Sequence, residues 1–225
     1  MAGFANRGVG KPLLGDVQVS EATSLKQQLS HTKPDVLIDF TASSAAVETV
    51  CFAAEMGINL VVGTTGFTGD QLVQMKKAID GHVAAVISPN FSVGVNVFWN
   101  LLAVAATALK DYDIEVIEAH HNQKKDAPSG TALAAADVLK NATGISQVVH
   151  GRSGMALRGR EIGVHAVRAG DIVGDHTVLF AGPGERLEIK HQAHSRTALA
   201  SGAIRAARWI AKVEPGVYRM SDVLG

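Results

Sequence analysis

Titratable side chains gather in one short stretch of the sequence, EAHHNQKKDAPSGTA, which runs from Glu118 to Ala132. His120 and His121 directly follow a segment that alternates like a strand, and Lys124 follows them in a polar loop. Histidine is the commonest positioned acid or base near neutral pH, and a nearby lysine can supply a cation or a second proton. The stretch therefore predicts proton transfer to or from a bound molecule.

The end of the same stretch has the pattern of a helix start that could hold an anion. Ser129 is expected to cap this helix and Gly144 to lie just past its end. The first N–H groups of a helix are unpaired and carry the positive end of its dipole, and Gly130 would let an anion approach them closely. The prediction is a small anionic substrate that is held and protonated. The alternative is a solvated capping loop, in which Asp126 and Ser129 only satisfy backbone groups.

A metal site is not predicted. If the strand continues through His120 and His121, their side chains point to opposite faces and are poor joint ligands. No His-x-x-His spacing supports zinc, and the only cysteine, Cys51, lies in an apolar helical stretch. We expect Cys51 to be a buried structural thiol.

Composition excludes several classes of protein. The chain has 225 residues, 47% of them hydrophobic, which suits one large domain or two small ones. Its 21 basic and 21 acidic residues give no attraction to nucleic acid or to an anionic membrane surface. No apolar run approaches the roughly 18 residues that span a bilayer, and no signal peptide is visible. We therefore expect a cytoplasmic protein with neither a nucleic-acid nor a membrane partner.

Secondary-structure patterns divide the chain near Asn90. Before it, strands are predicted over 35–40, 59–66 and 82–90, with helices between them, and this alternation is typical of a parallel sheet covered by helices. Ser43 or Ser44 is expected to cap the first of these helices. After Asn90, two helices and strand-like segments over 161–170, 175–182 and 186–193 predict a mostly antiparallel sheet. A last apolar-faced helix, in TALASGAIRAARWIAK, is expected to return to the first unit.

Two polar loops follow predicted strands of the first half. Gly63-Thr64-Thr65-Gly66 comes after one strand, and Ser88-Pro89-Asn90-Phe91 after the next. Ligands of open α/β sheets bind outside these strand ends, so the pair of loops predicts a ligand crevice. The alternative for the first loop is an ordinary strand-to-helix turn. RGVGKPLLG, near the start of the chain, has the spacing of neither a dinucleotide fingerprint nor a P-loop, and is interpreted as a surface loop.

The stretch from Glu118 to Ala132 closely resembles the signature of the dihydrodipicolinate reductases. DFTASSA, VVGTTGF, PNFSVGVN, VRAGDIVGDHTVLFAGPGERLEIKHQAHSR and ASGAIRAARWI also resemble that family, in the same order. The resemblance implies an NADPH- or NADH-dependent reductase of lysine and diaminopimelate biosynthesis, with an α/β fold. A Rossmann-like dinucleotide-binding domain would comprise 1–91 and 201–225. A substrate-binding and oligomerisation domain would comprise 92–200 and assemble the chain into a homotetramer.

The resemblance also implies roles for individual residues. His120 would be the proton donor or acceptor, and Lys124 a second proton donor. The ligands of a small cyclic dicarboxylate substrate would be His121, Ser129, Gly130 and Thr131, with Lys125 and Arg196 as further candidates. The nicotinamide-side cofactor contacts would be Gly63, Thr64, Thr65, Ser88, Pro89, Asn90 and Phe91.

One departure from the family concerns the start of the chain. MAGFANRG resembles the end of the family's second strand, and the first strand, glycine-rich turn and first helix have no counterpart. We expect about 30 further N-terminal residues in the natural protein, one strand–turn–helix unit. Asn6 and Arg7 fall where the adenosine ribose is bound, and an arginine there favours NADPH. The alternative is a catalytically silent fragment that retains only substrate binding and oligomerisation.

Overall fold

The protein, seen here as a computed structural model, is described over residues 3–5, 12–14 and 17–225. Its strands are β1 (Gly3–Ala5), β2 (Pro12–Leu14), β3 (Val17–Glu21), β4 (Val36–Asp39), β5 (Asn59–Val62), β6 (Ala84–Ile87), β7 (Asp113–His120), β8 (Val148–His150), β9 (Ile162–Arg168), β10 (Gly174–Gly182), β11 (Glu185–Ala193) and β12 (Gly216–Tyr218). Its helices are α1 (Leu25–Thr32), α2 (Ser43–Glu55), α3 (Gly69–Ile79), α4 (Val93–Ala108), α5 (Gly130–Thr143), α6 (Thr197–Ile210) and α7 (Met220–Leu224).

The first of two compact units contains a parallel sheet with the strand order β12-β6-β5-β4. It comprises the described residues up to Ser88 together with Ala203–Gly225. Apolar residues of β5 and β6 pack against α2 and α3 in one buried cluster, which includes Leu60 and Met75. A separate three-stranded sheet has the order β1-β3-β2. Because the four strands are parallel, the loops that follow β4, β5 and β6 meet at one edge, as the sequence predicted.

The second unit, Pro89–Gly202, contains a five-stranded sheet with the order β11-β10-β7-β9-β8. α4 and α5 pack on one face, where Phe98 and Leu139 belong to the buried cluster. The mixed sheet is confirmed: β10 pairs antiparallel with β7 and β11, and β9 pairs parallel with β7 and β8. More of its residue pairs are antiparallel than parallel, as the sequence predicted. In the described chain no helix combines the length and apolar character that crossing a membrane requires.

Helix starts follow the sequence expectations in one case and depart from them in another. α5 has Ser129 as its N-cap, with Oγ accepting from the Ala132 N–H at 3.2 Å, and Gly144 ends it in the left-handed conformation. The start of α2 was predicted wrongly. Its N-cap position is Ala42, and no side chain caps it, because the helix already includes Ser43.

Candidate active site

A polar cavity of about 210 Å³ lies within the second unit. It is walled by the end of β7 and the loop after it, by the starts of α4 and α5, and by β10 and β11. The basic side chains that line it are His120, His121, Lys124, His176, His191 and Arg196. No carboxylate is among the residues of the described chain that line the cavity. Its charge and size therefore suit a small anion.

His120 and His121 both line this cavity. Opposite orientations were expected only if the strand continued through both residues, and it does not. β7 ends at His120, and the chain turns directly afterwards, with the Lys124 N–H donating to the His121 carbonyl at 3.1 Å. His121 therefore lies outside the strand alternation. In the part of the chain that the structure describes, no group of three or more His, Cys, Asp or Glu residues is placed to hold a metal ion.

The imidazole of His120 is held on one side and open on the other. Its Nδ1 lies 2.6 Å from a carboxylate oxygen of Glu118, which is fully buried. Its Nε2 lies beside Gly174, where a Cβ atom would come within 3.0 Å of the ring nitrogen. Gly174 also lines the cavity, so its missing side chain leaves room at Nε2.

Two cationic side chains stand at the cavity beside the histidines. The Lys124 Nζ lies 2.8 Å from the exposed carboxylate of Asp126, and this hydrogen bond lowers the pKa of Asp126. An Nη atom of Arg196 lies 3.5 Å from Nε2 of His121. Arg196 was only a secondary candidate in the sequence, whereas the structure places it in the lining. Lys125 does not line the cavity.

The start of α5 contributes less of its backbone to the cavity than the sequence suggested. The Ser129 N–H donates to Glu118 at 3.0 Å, and the Ser129 Oγ contacts both the Ala132 N–H and the His176 ring. Ser129 is therefore buried beneath the site with its N–H already bound. A Cβ on Gly130 would meet nothing within 4 Å, so there is open space next to it. Thr131 does line the cavity.

Asn90 links the loop after β6 to the same cavity. Its side-chain Nδ2 donates to the Thr131 Oγ1 at 3.1 Å, and its Oδ1 accepts from the Ser92 N–H at 2.8 Å. Phe91 is fully buried, and a Cβ on Gly202 would overlap the Phe91 carbonyl oxygen. Of the Ser88–Phe91 loop, Asn90 lines the cavity, Pro89 is exposed, and Ser88 and Phe91 are buried.

The loop after β5 provides an open edge in the first unit. The Gly63 N–H donates to the Asp39 carbonyl at 2.8 Å, and a Cβ on Gly63 would overlap the half-exposed ring of Phe40. The Thr64 hydroxyl donates to the Asp39 carboxylate at 2.9 Å and is buried, whereas Thr65 is exposed. At this edge Thr64 is hydrogen-bonded to the end of β4, the Phe40 ring packs against Gly63, and Thr65 is left exposed.

Two models of one protein family match this sequence, one in each half of the chain. Residues 7–91 match the family model described as dihydrodipicolinate reductase, N-terminus, and residues 94–224 match the one described as dihydrodipicolinate reductase, C-terminus. The chain belongs to the dihydrodipicolinate reductase family. Because both family models match, the alternative of a silent fragment without the cofactor half is not favoured.

Relatives within the dihydrodipicolinate reductase family are similar along almost the whole chain. The 4-hydroxy-tetrahydrodipicolinate reductase of Methanosarcina barkeri (strain Fusaro) is 59% identical over 210 residues, which are 93% of this chain and 80% of the relative. The enzyme of the same name from Methanocaldococcus jannaschii is 54% identical over 222 residues, 97% of this chain and 80% of the relative. A solved structure, dipicolinate-bound dihydrodipicolinate reductase from Paenisporosarcina sp. TG-14, has a TM-score of 0.79 at 25% identity. The match covers 97% of this chain and 86% of that chain, and it confirms the predicted α/β fold.

Several residues in and behind the cavity had no role assigned to them from the sequence. Glu118, Arg168, His176 and His191 were all present in quoted motifs, but nothing local marks their contacts. Strand register is the signal that would have found them, since His176 lies opposite Glu118 on one side and His191 on the other. Two predicted cofactor residues, Asn6 and Arg7, lie outside the residues that the structure describes.

The uncharged ring of His176 packs against the ring of His120. The two rings meet edge to face at 5.2 Å, and His176 is almost completely buried. Burial, followed by the neighbouring charge of His120, lowers the pKa of His176 to about 4. His191, 6.4 Å further on, also has a lowered pKa because of burial. The positive charge of the cavity at neutral pH therefore comes from its other basic groups.

Proposed function

We propose that the cavity of the second unit binds the cyclic dicarboxylate substrate of a 4-hydroxy-tetrahydrodipicolinate reductase, and that His120 and Lys124 supply protons to it. The chain is an NAD(P)H-dependent oxidoreductase of lysine and diaminopimelate biosynthesis. The observation that carries the proposal is the cavity lining, which combines Lys124, Arg196 and four histidines without a carboxylate. Such a lining favours a dianion over a neutral or cationic ligand.

We assign nicotinamide binding to a dinucleotide-binding domain of residues 1–91 and 201–225, and substrate binding to residues 92–200. The cofactor, NADPH or NADH, would be held at Gly63, Thr64 and Thr65 and along the Ser88–Phe91 loop. It supplies the hydride when bound. The Gly63 backbone and the exposed Thr65 offer contact, whereas Thr64 positions the loop through Asp39. The Ser88–Phe91 loop includes Asn90, which lines the substrate cavity.

The chain's own contribution to the reduction is the proton. Hydride addition to an unsaturated ring leaves an electron pair on the neighbouring ring atom, and one proton must reach that atom to complete the reduction. Nε2 of His120 faces the cavity at Gly174, so a protonated ring can deliver its proton there. Lys124 stands in the same lining as the second donor, and its ammonium group also attracts the carboxylates.

Substrate binding is assigned to the residues that surround these donors. His121 and Thr131 line the cavity, and Gly130 leaves open space at the helix start where a carboxylate could approach. Arg196 is added as a cationic ligand. Ser129 has an indirect part in this assignment, because its N–H and hydroxyl are bound by other protein groups.

We further propose a cytoplasmic homotetramer that assembles through the five-stranded sheet. The face of this sheet away from α4 and α5 exposes Ile117 and Val167. The same face carries the ion pair of His165 and Glu115, so it combines apolar and charged groups, as many subunit interfaces do. Light scattering of the purified chain should give four times the monomer mass, and a monomeric mass would contradict this assembly.

The proposed function is tested by kinetics of His120→Ala and Lys124→Ala. One positioned proton donor typically contributes about 10²–10⁴-fold to the rate, so kcat of each variant should fall by that order. Cofactor affinity, measured by NADPH or NADH fluorescence titration, should stay close to the wild-type value. Asn122→Ala, in the same turn but outside the cavity lining, is the control and should keep its rate. Wild-type turnover in both donor variants would refute the assignment.

A further inference from the structure

A fully buried carboxylate lies directly behind the proposed proton donor. Both oxygens of Glu118 are occupied, and it is 0% exposed. Oε2 lies 2.6 Å from Nδ1 of His120 and accepts a hydrogen bond from an Arg168 Nη at 2.9 Å. Oε1 accepts hydrogen bonds from the other Arg168 Nη at 2.8 Å and from the Ser129 N–H at 3.0 Å. Burying a charge is costly unless its partners are complete, and here each oxygen has two.

This carboxylate is ionised at neutral pH and therefore fixes the tautomer of His120. Burial alone would raise the pKa of Glu118, but the hydrogen bonds from Arg168, His120 and Ser129 together lower it. An ionised carboxylate only accepts hydrogen bonds, so the proton between the two groups belongs to Nδ1 of His120. The nitrogen that faces the cavity is then Nε2, which is free to gain or lose the transferred proton.

Arg168 holds the carboxylate in place from the neighbouring strand. β9 pairs parallel to β7 with Arg168 opposite His120, so the guanidinium reaches across to both oxygens of Glu118. The same guanidinium donates to the Asp126 carbonyl at 2.6 Å, which ties down the loop that carries Lys124. Such bidentate Arg–carboxylate pairs fix geometry as well as charge.

Titratable and charged groups surround His120 on several elements. They are Glu118 on β7, His121, Lys124 and Asp126 in the following loop, Arg168 on β9, Asp175 and His176 on β10, His191 on β11 and Arg196 before α6. Of these carboxylates, Glu118 is the one that hydrogen-bonds to the His120 ring in the described part of the chain. It is therefore the charged acceptor that faces Nδ1 of the imidazole.

We propose that Glu118, held by Arg168, is the positioning residue for His120: it directs Nε2 into the cavity and stabilises the protonated ring that donates to the substrate. This inference rests on the function proposed above. Glu118 does not line the cavity and so acts through His120. Its removal should therefore change the pH dependence of turnover more than substrate binding.

The test is the pH profile of kcat for Glu118→Gln. An amide removes the charge behind the ring and leaves the Arg168 cation unpaired. The basic limb of the profile should move down by roughly one to three pH units, as expected for loss of an opposite charge at this distance. KM for the substrate should change much less than kcat.

Glu115→Gln is the matched control. Glu115 lies on the same strand and also accepts from a histidine and an arginine, His165 at 2.8 Å and Arg158 at 3.0 Å. It does not line the cavity, so the basic limb of this variant should stay at the wild-type pH. A merely structural role of Glu118 would lower activity at every pH without moving the limb, and that result would overturn the proposal.

A second variant keeps the test decisive if Glu118→Gln does not fold. Glu118→Asp retains the charge on a shorter side chain, so its limb should stay in place while kcat falls; a displaced limb would overturn the proposal. Failure of the proposed function gives a different result. In that case the wild type would not turn over, or His120→Ala would turn over normally, whereas failure of this inference leaves both as expected.

Discussion

The free energy of unfolding should fall when the pH is lowered from 7 to 5, because of His176. Its pKa is about 4 in the folded chain, against an ordinary value of 6.5. Between these values the unfolded chain binds the proton and the folded chain does not, so stability is present at neutral pH and is lost as the pH falls. With one such group, the loss between pH 7 and pH 5 is about 2 kcal/mol.

The assay compares wild type with His176→Gln, which keeps a polar group opposite the Ser129 hydroxyl but cannot gain a proton. Urea unfolding at pH 7 and pH 5, at one protein concentration, gives the free energy of unfolding for each protein. Glu118 and Asp126 also have lowered pKa values and destabilise both proteins in acid, so the difference between the two pH slopes isolates His176. His31→Gln, an exposed histidine on α1, is the control. Equal slopes for wild type and His176→Gln would refute the reasoning.

Two further variants test the two ligand sites. Gly63→Ala should weaken NADPH or NADH binding about tenfold in a fluorescence titration, because the new methyl group displaces the Phe40 ring; Gly69→Ala, where a Cβ meets nothing within 4 Å, is the control, and unchanged affinity would place the nicotinamide elsewhere. Thr131→Val should raise KM for the substrate about tenfold with a smaller change in kcat, because a hydroxyl that lines the cavity is lost. Thr107→Val on the exposed side of α4 should keep the wild-type KM, and an equal KM in both variants would remove Thr131 from the site.

Local patterns were sufficient for most of the elements and for the grouping of His120, His121 and Lys124, which line one cavity. The alternation of strand and helix between Asp35 and Asn90 predicted β4, β5 and β6 with their helices, because each signal lies within a few residues. Ser129 and Gly144 bounded α5 for the same reason. The sheet of the second unit was less predictable, because parallel or antiparallel pairing depends on segments that are distant in sequence.

The support behind His120 could not be predicted, because it comes from pairing between strands. Arg168 is 50 residues from Glu118, and His176 reaches Ser129 across 47 residues. Once the register of β7 with β9 and β10 is known, the alternation of side chains places Glu118, His120 and His176 on one buried face. The sequence therefore pointed to several side chains that line the cavity, and strand pairing brings up the groups that hold them.

The most direct test of the central claim is substrate-dependent oxidation of NADPH or NADH, followed at the nicotinamide absorbance, with 4-hydroxy-tetrahydrodipicolinate as the substrate. The wild-type chain should oxidise one cofactor molecule for each substrate molecule reduced, and His120→Ala should lose this activity while it still binds the cofactor. A wild-type protein that binds both cofactor and dipicolinate but oxidises neither NADPH nor NADH with the substrate would contradict the claim.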